Sequence, residues 1–288
     1  VDLVGLRKFT DESVKAGAKF NDLSQDIYRA CAVELYYQKY RMSRFTAISI
    51  FESPDVFLGT LPARERVECE TAKKLWGNFA AANKVLMSYL YVMGQLAGDD
   101  IANADAGFKA AKNSIASLPR GSDPIIAPTL NIANTITNIL MDAERQKAIK
   151  KVLIQNNGDV RSLTAKLSKA LITYIVWLEK EKAALTNMYN FALANHQSFN
   201  RQIQVKPIPS DALLVLSASA NLEIEVQKIN AKIRAAKAYQ NLLTNIKDGH
   251  RELYEEALYG FNKKVAVRIA LKYAPAIQAN FDDINKAF

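Results

Sequence analysis

The chain has 288 residues, of which 49% are hydrophobic and 23% charged, with eight prolines and eleven glycines. These proportions belong to a globular chain with one large core, and they exclude a disordered, collagenous or disulfide-dense protein. The formal charge of +9 suits an anionic partner, but Lys and Arg are spread along the whole chain, as on a solvated surface, rather than gathered into a stripe.

Near the start, Phe20, Leu23, Ile27 and Ala30 fall at helical spacing. Tyr36, Tyr37, Lys39, Tyr40 and Arg41 then interleave aromatic and basic side chains. That composition is used to stack bases or to meet a membrane or a partner, and is equally that of a set of snorkelling side chains at a helix end. Phe45 to Phe51 is β-branched and aromatic, so the first helix is expected to stop near Tyr40, and the stretch from Pro54 to Pro62 separates it from the second. Ala72, Leu75, Phe79, Ala82, Leu86, Tyr89, Met93 and Leu96 form one stripe of that second helix, whose end Gly94 and Gly98 mark. Leu118 to Pro124, with Pro128 behind it, is the longest cluster of breakers. Pro124 to Met141 has only Asn and Thr among its apolar residues. It reads as a core helix, and the same pattern would serve the insertion segment of an α-helical pore-forming protein.

Asn156-Asn157-Gly158-Asp159 reads as a glycine stop followed by an Asp cap, which starts a helix at 160 and ends it near 199. Its stripe is Leu167, Leu171, Tyr174, Leu178, Leu185, Met188 and Ala192, with Glu181 on the seam. Pro207 and Pro209 end this helix and leave Ser210 to cap the next. That one carries Leu222, Val226, Ile229, Ile233, Ala236, Gln240, Leu243 and Ile246. Its phase continues through His250, Leu253, Ala257 and Phe261, so Asp248-Gly249 is read as the inside of one bent helix. Pro275 is expected to kink or end the last helix. Helices of about 60 Å need antiparallel neighbours of similar length. The expected fold is all-α, an elongated up-and-down antiparallel bundle of long helices with coiled-coil-like packing, in a single domain over residues 1–288.

Chemistry is sparse. His196 and His250 are the only histidines, no Glu-x-x-His or Cys/His cluster has metal-ligand spacing, and no nucleophile elbow, phosphate loop or dinucleotide glycine pattern occurs. No metal, cofactor or enzymatic activity is therefore expected. His250 is read as a hydrogen-bonded packing residue, and His196 as a partner of helix-end carbonyls. Glu252, Glu255 and Glu256 share a helix face as an acid–base pair would, but in a lysine-bearing helix they read as surface ion pairs. Cys31 and Cys69 are the only cysteines. An early end of helix one places them level along a helical hairpin, and a disulfide between them is expected, with buried free thiols as the alternative. A bridge there implies an oxidising compartment.

No run of eighteen uncharged apolar residues occurs, the best stretch being Val85 to Leu96. The chain opens at Val1 without a signal segment; removal of an initiator methionine, trimming, and cleavage of a secretion signal all fit. In its long Lys- and Asn-bearing amphipathic helices and its one candidate bridge, the chain resembles the mature part of a bacterial envelope protein, such as a lipoprotein without its anchor. That resemblance covers texture rather than motifs. It implies an extracytoplasmic location, with the cytoplasm as alternative, and a non-enzymatic binding or structural role on an elongated helical surface. The alternative role is an α-helical pore-forming or membrane-active protein. The expected partner is a protein or envelope component, then an anionic membrane surface; nucleic acid is not expected.

Overall fold

The computed structural model describes residues 4–42, 58–97, 113, 116, 124–139, 145–202, 209–260 and 262–286. Among these residues there are seven helices of fourteen residues or more and no strand. In chain order they are α1 (Val4–Ala18), α2 (Phe20–Met42), α3 (Ala63–Ala97), α4 (Ile126–Ile139), α5 (Arg145–Gln202), α6 (Pro209–Tyr259) and α7 (Lys263–Asn285). They form an all-α bundle of long antiparallel helices. With 58 residues, α5 is about 87 Å long, and the 51 residues of α6 reach about 77 Å.

The pairings follow from cross-helix contacts. Gln240 Nε2 donates to the Ser168 carbonyl at 3.1 Å and Lys182 Nζ to Asn230 Oδ1 at 3.3 Å, which makes α5 and α6 antiparallel. Against α6, α1 and α2 run antiparallel as one rod, with Tyr239 beside Gly17 and Lys232 beside Asp26. The same rod is antiparallel to α3, with Cys31 at Cys69 and Gly17 at Asn83. The short α4 lies on α5, where Asn131 donates to Asp159 at 3.2 Å. The α6–α7 turn uses Gly260 at φ 127°, a conformation open to glycine, followed by Asn262 as N-cap, whose Oδ1 accepts from the Lys264 N–H at 2.9 Å. Lys272 and Tyr273 of α7 then meet Glu252 of α6.

The rod breaks once, at Lys19. There the Lys19 N–H bonds to the Ala16 carbonyl at 3.3 Å, three residues back. The Gly17 carbonyl turns to tertiary partners, accepting from Asn83 Nδ2 at 2.9 Å. The Tyr239 hydroxyl donates to Asn83 Oδ1 at 2.8 Å and lies 3.1 Å from the same carbonyl. A Cβ on Gly17 would fall within the van der Waals shell of the Met87 sulfur, so a larger residue here would force that side chain to move. Around the break, the Phe20 ring lies 5.9 Å from Trp76 and 5.1 Å from Tyr239, and Trp76 lies 5.8 Å from Tyr174.

Several boundaries differ from the sequence expectation. Asn156 to Asp159 is no stop, and α5 runs straight through it. Val152, Leu153, Asn156, Val160 and Leu163 are all buried in one unbroken helical phase, and Asn156 Nδ2 donates within the helix to the Val152 carbonyl at 3.0 Å. The connection expected near Gly158 is therefore absent and α5 begins at Arg145. Ser210 is the second residue of α6, which opens on Pro209, a favoured first helical residue. Pro128 sits in the first turn of α4, where its missing N–H is not needed. Pro275 does not end α7, which continues to Asn285. As expected, α6 runs through Gly249 to Tyr259; α2 is helical as far as Met42, and the stretch 43–57 beyond it lies outside the described residues, as does Phe261.

Three expectations follow. A Cβ at Gly158 meets nothing within 4 Å, so Gly158→Ala should stabilise the protein by about 0.5–1 kcal/mol in urea unfolding; a hairpin at this site would reverse the sign. Gly249→Ala should cost about 1–3 kcal/mol, because its Cβ would lie 2.7 Å from the Phe9 ring. Cys31 and Cys69 form a disulfide with their Cα atoms 5.7 Å apart, so unreduced, denatured protein should titrate no free thiol. Closing a loop across 38 positions contributes about 4 kcal/mol, which reduction should remove; two titratable thiols would refute the bond.

Candidate functional site

An apolar opening lies where α3, the start of α4 and α5 meet. α3 presents Leu75, Trp76 and Phe79, and α5 presents Lys166, Lys169, Ala170 and Thr173 at the three- and four-residue spacing that keeps them on one face. Pro124 and Ile125 close one end, held by Lys166 Nζ donating to the Pro124 carbonyl at 2.5 Å. The cleft has a volume of 380 Å³. Its floor is rigid, since Trp76 is 2% exposed and touches Phe20, Phe79 and Tyr174. Its lining is not apolar alone: Lys166 and Lys169 belong to it, and no carboxylate lines it among the described residues. Leu75, 39% exposed, extends the apolar surface outward, and Ile172 and Val176 are exposed on α5 next to and one turn beyond the lining residues. Such a cleft can bury a hydrocarbon segment while two ammonium groups meet an acidic head.

A buried charged layer crosses the bundle farther along α2, α5 and α6. Asp26 accepts from the Tyr174 hydroxyl at 2.6 Å and from Lys232 Nζ at 2.6 Å. Glu181, 8% exposed, shares the layer, and burial pushes its carboxyl up to about 7, with Asp26 and Glu225 adding to the rise and Lys232 and Arg29 opposing it. Burial likewise holds the Tyr174 hydroxyl well above its ordinary range, and the Asp26 carboxylate adds to this. At a different level, His250 is 2% exposed and its Nε2 lies 2.7 Å from the Tyr89 hydroxyl; burial lowers the imidazole to about 4.

The structure distributes the residues singled out from sequence over several places. Cys31 and Cys69 meet across α2 and α3. Tyr37 is buried and its ring lies 5.7 Å from Tyr36, so the tyrosine pair packs on the core and does not stand free as a stacking platform. The side chains of Lys39, Tyr40 and Arg41 lie outside the described residues, as does that of His196. Glu252 is engaged by Lys272 and Tyr273, Glu255 faces Arg251 at 3.9 Å, and Glu256 accepts from the Asn262 N–H at 2.8 Å, so no free acid–base pair forms. Gly94 marks a close approach to Thr10, whose Oγ1 would lie 2.3 Å from an added Cβ. The segment from Pro124 hides Ile125, Ile126, Ile132 and Ile136 in the core. No helix is long and apolar enough to cross a membrane, and no group of three His, Cys, Asp or Glu converges as metal ligands, among the described residues.

Sequence reasoning missed the Asp26–Lys232 pair and the cleft. Glu181 was legible as a carboxylate on an apolar seam. Asp26 and Lys232 stand beside their stripes, so nothing in the periodicity brought them together.

Glu181 and His250 act in opposite directions over one pH window. Glu181 holds its proton more tightly folded than unfolded, so its contribution to stability falls as pH rises from 4.5 to about 7. His250 holds its proton less tightly folded, so its contribution is lost as pH falls from 6.5 to about 4. In the parent protein the two slopes largely cancel. Glu181→Gln should be more stable than the parent by about 1–3 kcal/mol above neutrality. It should then lose stability as pH drops from about 6.5 to 4.5, as urea unfolding across that range would show. A variant less stable than the parent at pH ~8 would mean that Glu181 works there as a favourable ion-pair partner.

No protein-family model matches the chain, and neither does any curated protein or solved structure.

Proposed function

We propose that this chain is a non-enzymatic binding protein of the bacterial cell envelope, and that its cleft takes an amphiphile with an apolar chain and an acidic head. The observation that carries this reading is the lining itself. Leu75, Trp76, Phe79 and Ile125 supply apolar wall, and Lys166 and Lys169 supply charge at the same mouth. Burying the chain removes apolar surface from water, at roughly 25 cal/mol per Å², while the head stays where the ammonium groups can meet it. Most of the cleft lining stands on α3 and α5, which suits a preformed site. Placement outside the cytoplasm is supported by the bonding distance between Cys31 and Cys69. The non-enzymatic reading is supported by the engagement of Glu252, Glu255 and Glu256 in ion pairs and capping.

Trp76 makes the test direct. In a Trp177→Phe background it is the only tryptophan, and sodium dodecanoate below its micellar concentration should shift its emission saturably. Dodecanol, which lacks the charge, should bind more weakly. Lys169→Glu should weaken dodecanoate about three- to tenfold, and Thr173→Phe, which narrows the mouth, should reduce it further. No saturable shift, or identical titrations for parent and both variants, would overturn the reading. Release of dye from anionic liposomes at neutral or acidic pH would instead favour the membrane-active alternative.

A further inference from the structure

A second opening lies between α5 and α6, away from the apolar cleft and lined by Asn157, Arg161, Lys247, Asp248, His250 and Arg251. Asn157 and Arg161 are four apart on α5, and Lys247 and Arg251 are four apart on α6, so two antiparallel helices each aim one turn of donors at the same space. Three cations face one acid. Asp248 lies 3.8 Å from Lys247, and Arg251 Nε lies 3.9 Å from Glu255 on the outer face, while Arg161 has no side-chain partner among the described residues. Both recorded contacts are long, partly exposed pairs of the kind that contribute little, so the guanidinium forks and the ammonium group are available to a ligand.

The wall of this opening includes a buried group whose hydrogen bonding is incomplete. His250 Nδ1 is buried and has no partner among the described residues. Its other nitrogen is 2.7 Å from the Tyr89 hydroxyl. If that hydroxyl donates to Nε2, its proton is satisfied and Nδ1 carries a hydrogen lacking an acceptor. The opposite tautomer leaves both the hydroxyl proton and the Nδ1 lone pair unmet, so the first is favoured. A buried donor without an acceptor therefore belongs to the same wall as three cations and an amide.

We propose that this opening is a binding site for a phosphate-type oxyanion. Planar guanidinium forks match the paired oxygens of a tetrahedral oxyanion, and Asn157 adds a neutral donor. The opening, with a volume of 130 Å³, is large enough to admit one such group. The ligand is a free phosphate or the phosphate of a lipid headgroup, which share this chemistry. The site is independent of the amphiphile cleft and stands or falls without it.

Equilibrium dialysis of the full chain with radiolabelled inorganic phosphate, at fixed ionic strength, should give saturable binding that sulfate competes and chloride does not. Arg161→Gln with Arg251→Gln should weaken it at least tenfold, whereas Lys8→Gln with Lys84→Gln, the same loss of charge elsewhere, should leave it within twofold. With only two histidines in the chain, the His250 ring resonance should move on adding phosphate while that of His196 does not. In a parallel arm, sedimentation with phosphatidylglycerol vesicles against phosphatidylcholine vesicles separates the sources: binding of vesicles alone, lost when Arg161→Gln and Arg251→Gln are combined, assigns a lipid headgroup, and binding of free phosphate assigns a soluble ligand. Binding in neither arm, or equal loss in both double variants, overturns the proposal.

Discussion

The carbonyl oxygen of Gly17 is where the bundle is locked. Helices of 58 and 51 residues carry apolar seams longer than any other described helix can cover, so shorter helices must lie end to end along them. α1 and α2 do so only with a break at Lys19, and a break inside a core leaves backbone groups that would cost about 1–3 kcal/mol if unmet. Asn83 from α3 and Tyr239 from α6 meet that carbonyl and each other. Sliding α3 by one turn would strand the Asn83 amide, and sliding α6 would strand the Tyr239 phenol. Apolar seams of Leu and Ile tolerate such a slide far better, so this polar node holds the register of three elements.

Other polar contacts repeat that logic along the bundle. The Cys31–Cys69 pair, the Asp26–Tyr174–Lys232 layer, the Gly17 node and the Tyr89–His250 contact follow one another from one end of α3 and α6 towards the other. Each joins different helices, and each has a geometry satisfied at a single alignment. The charged layer is the costly one, because it keeps Glu181 out of water with a carboxylate oxygen that has no partner among the described residues. Its compensation is specificity of pairing between α2, α5 and α6, which a Leu at every seam position would not supply.

Both candidate sites occur on α5, on sides where its cover changes. Towards α3 and α4 the cover is incomplete beside Lys166 and Lys169, and an apolar cleft results. Towards α6 the seam gives way at Asn157 and Arg161 to a polar opening. A single long helix, held along its length by neighbours, thus contributes to both an apolar and a cationic site.

Helix content, the buried stripes and the continuity of α6 through Gly249 were legible in the sequence, because periodicity is a property of one helix and survives until that helix meets a partner. The same rule would have carried α5 through Gly158, but Asn156 occupies the seam there and an Asn-Gly pair imitates a stop. Leu75 belongs to the α3 stripe and still faces outward, since a stripe records which side can be buried and not how far a neighbour extends over it. The break at Lys19, the meeting of Asp26 with Lys232 across 206 positions, and both openings were decided by tertiary structure alone. Each depends on which seams face one another and where their cover ends. Those are relations between elements, and no local spacing of residues encodes them.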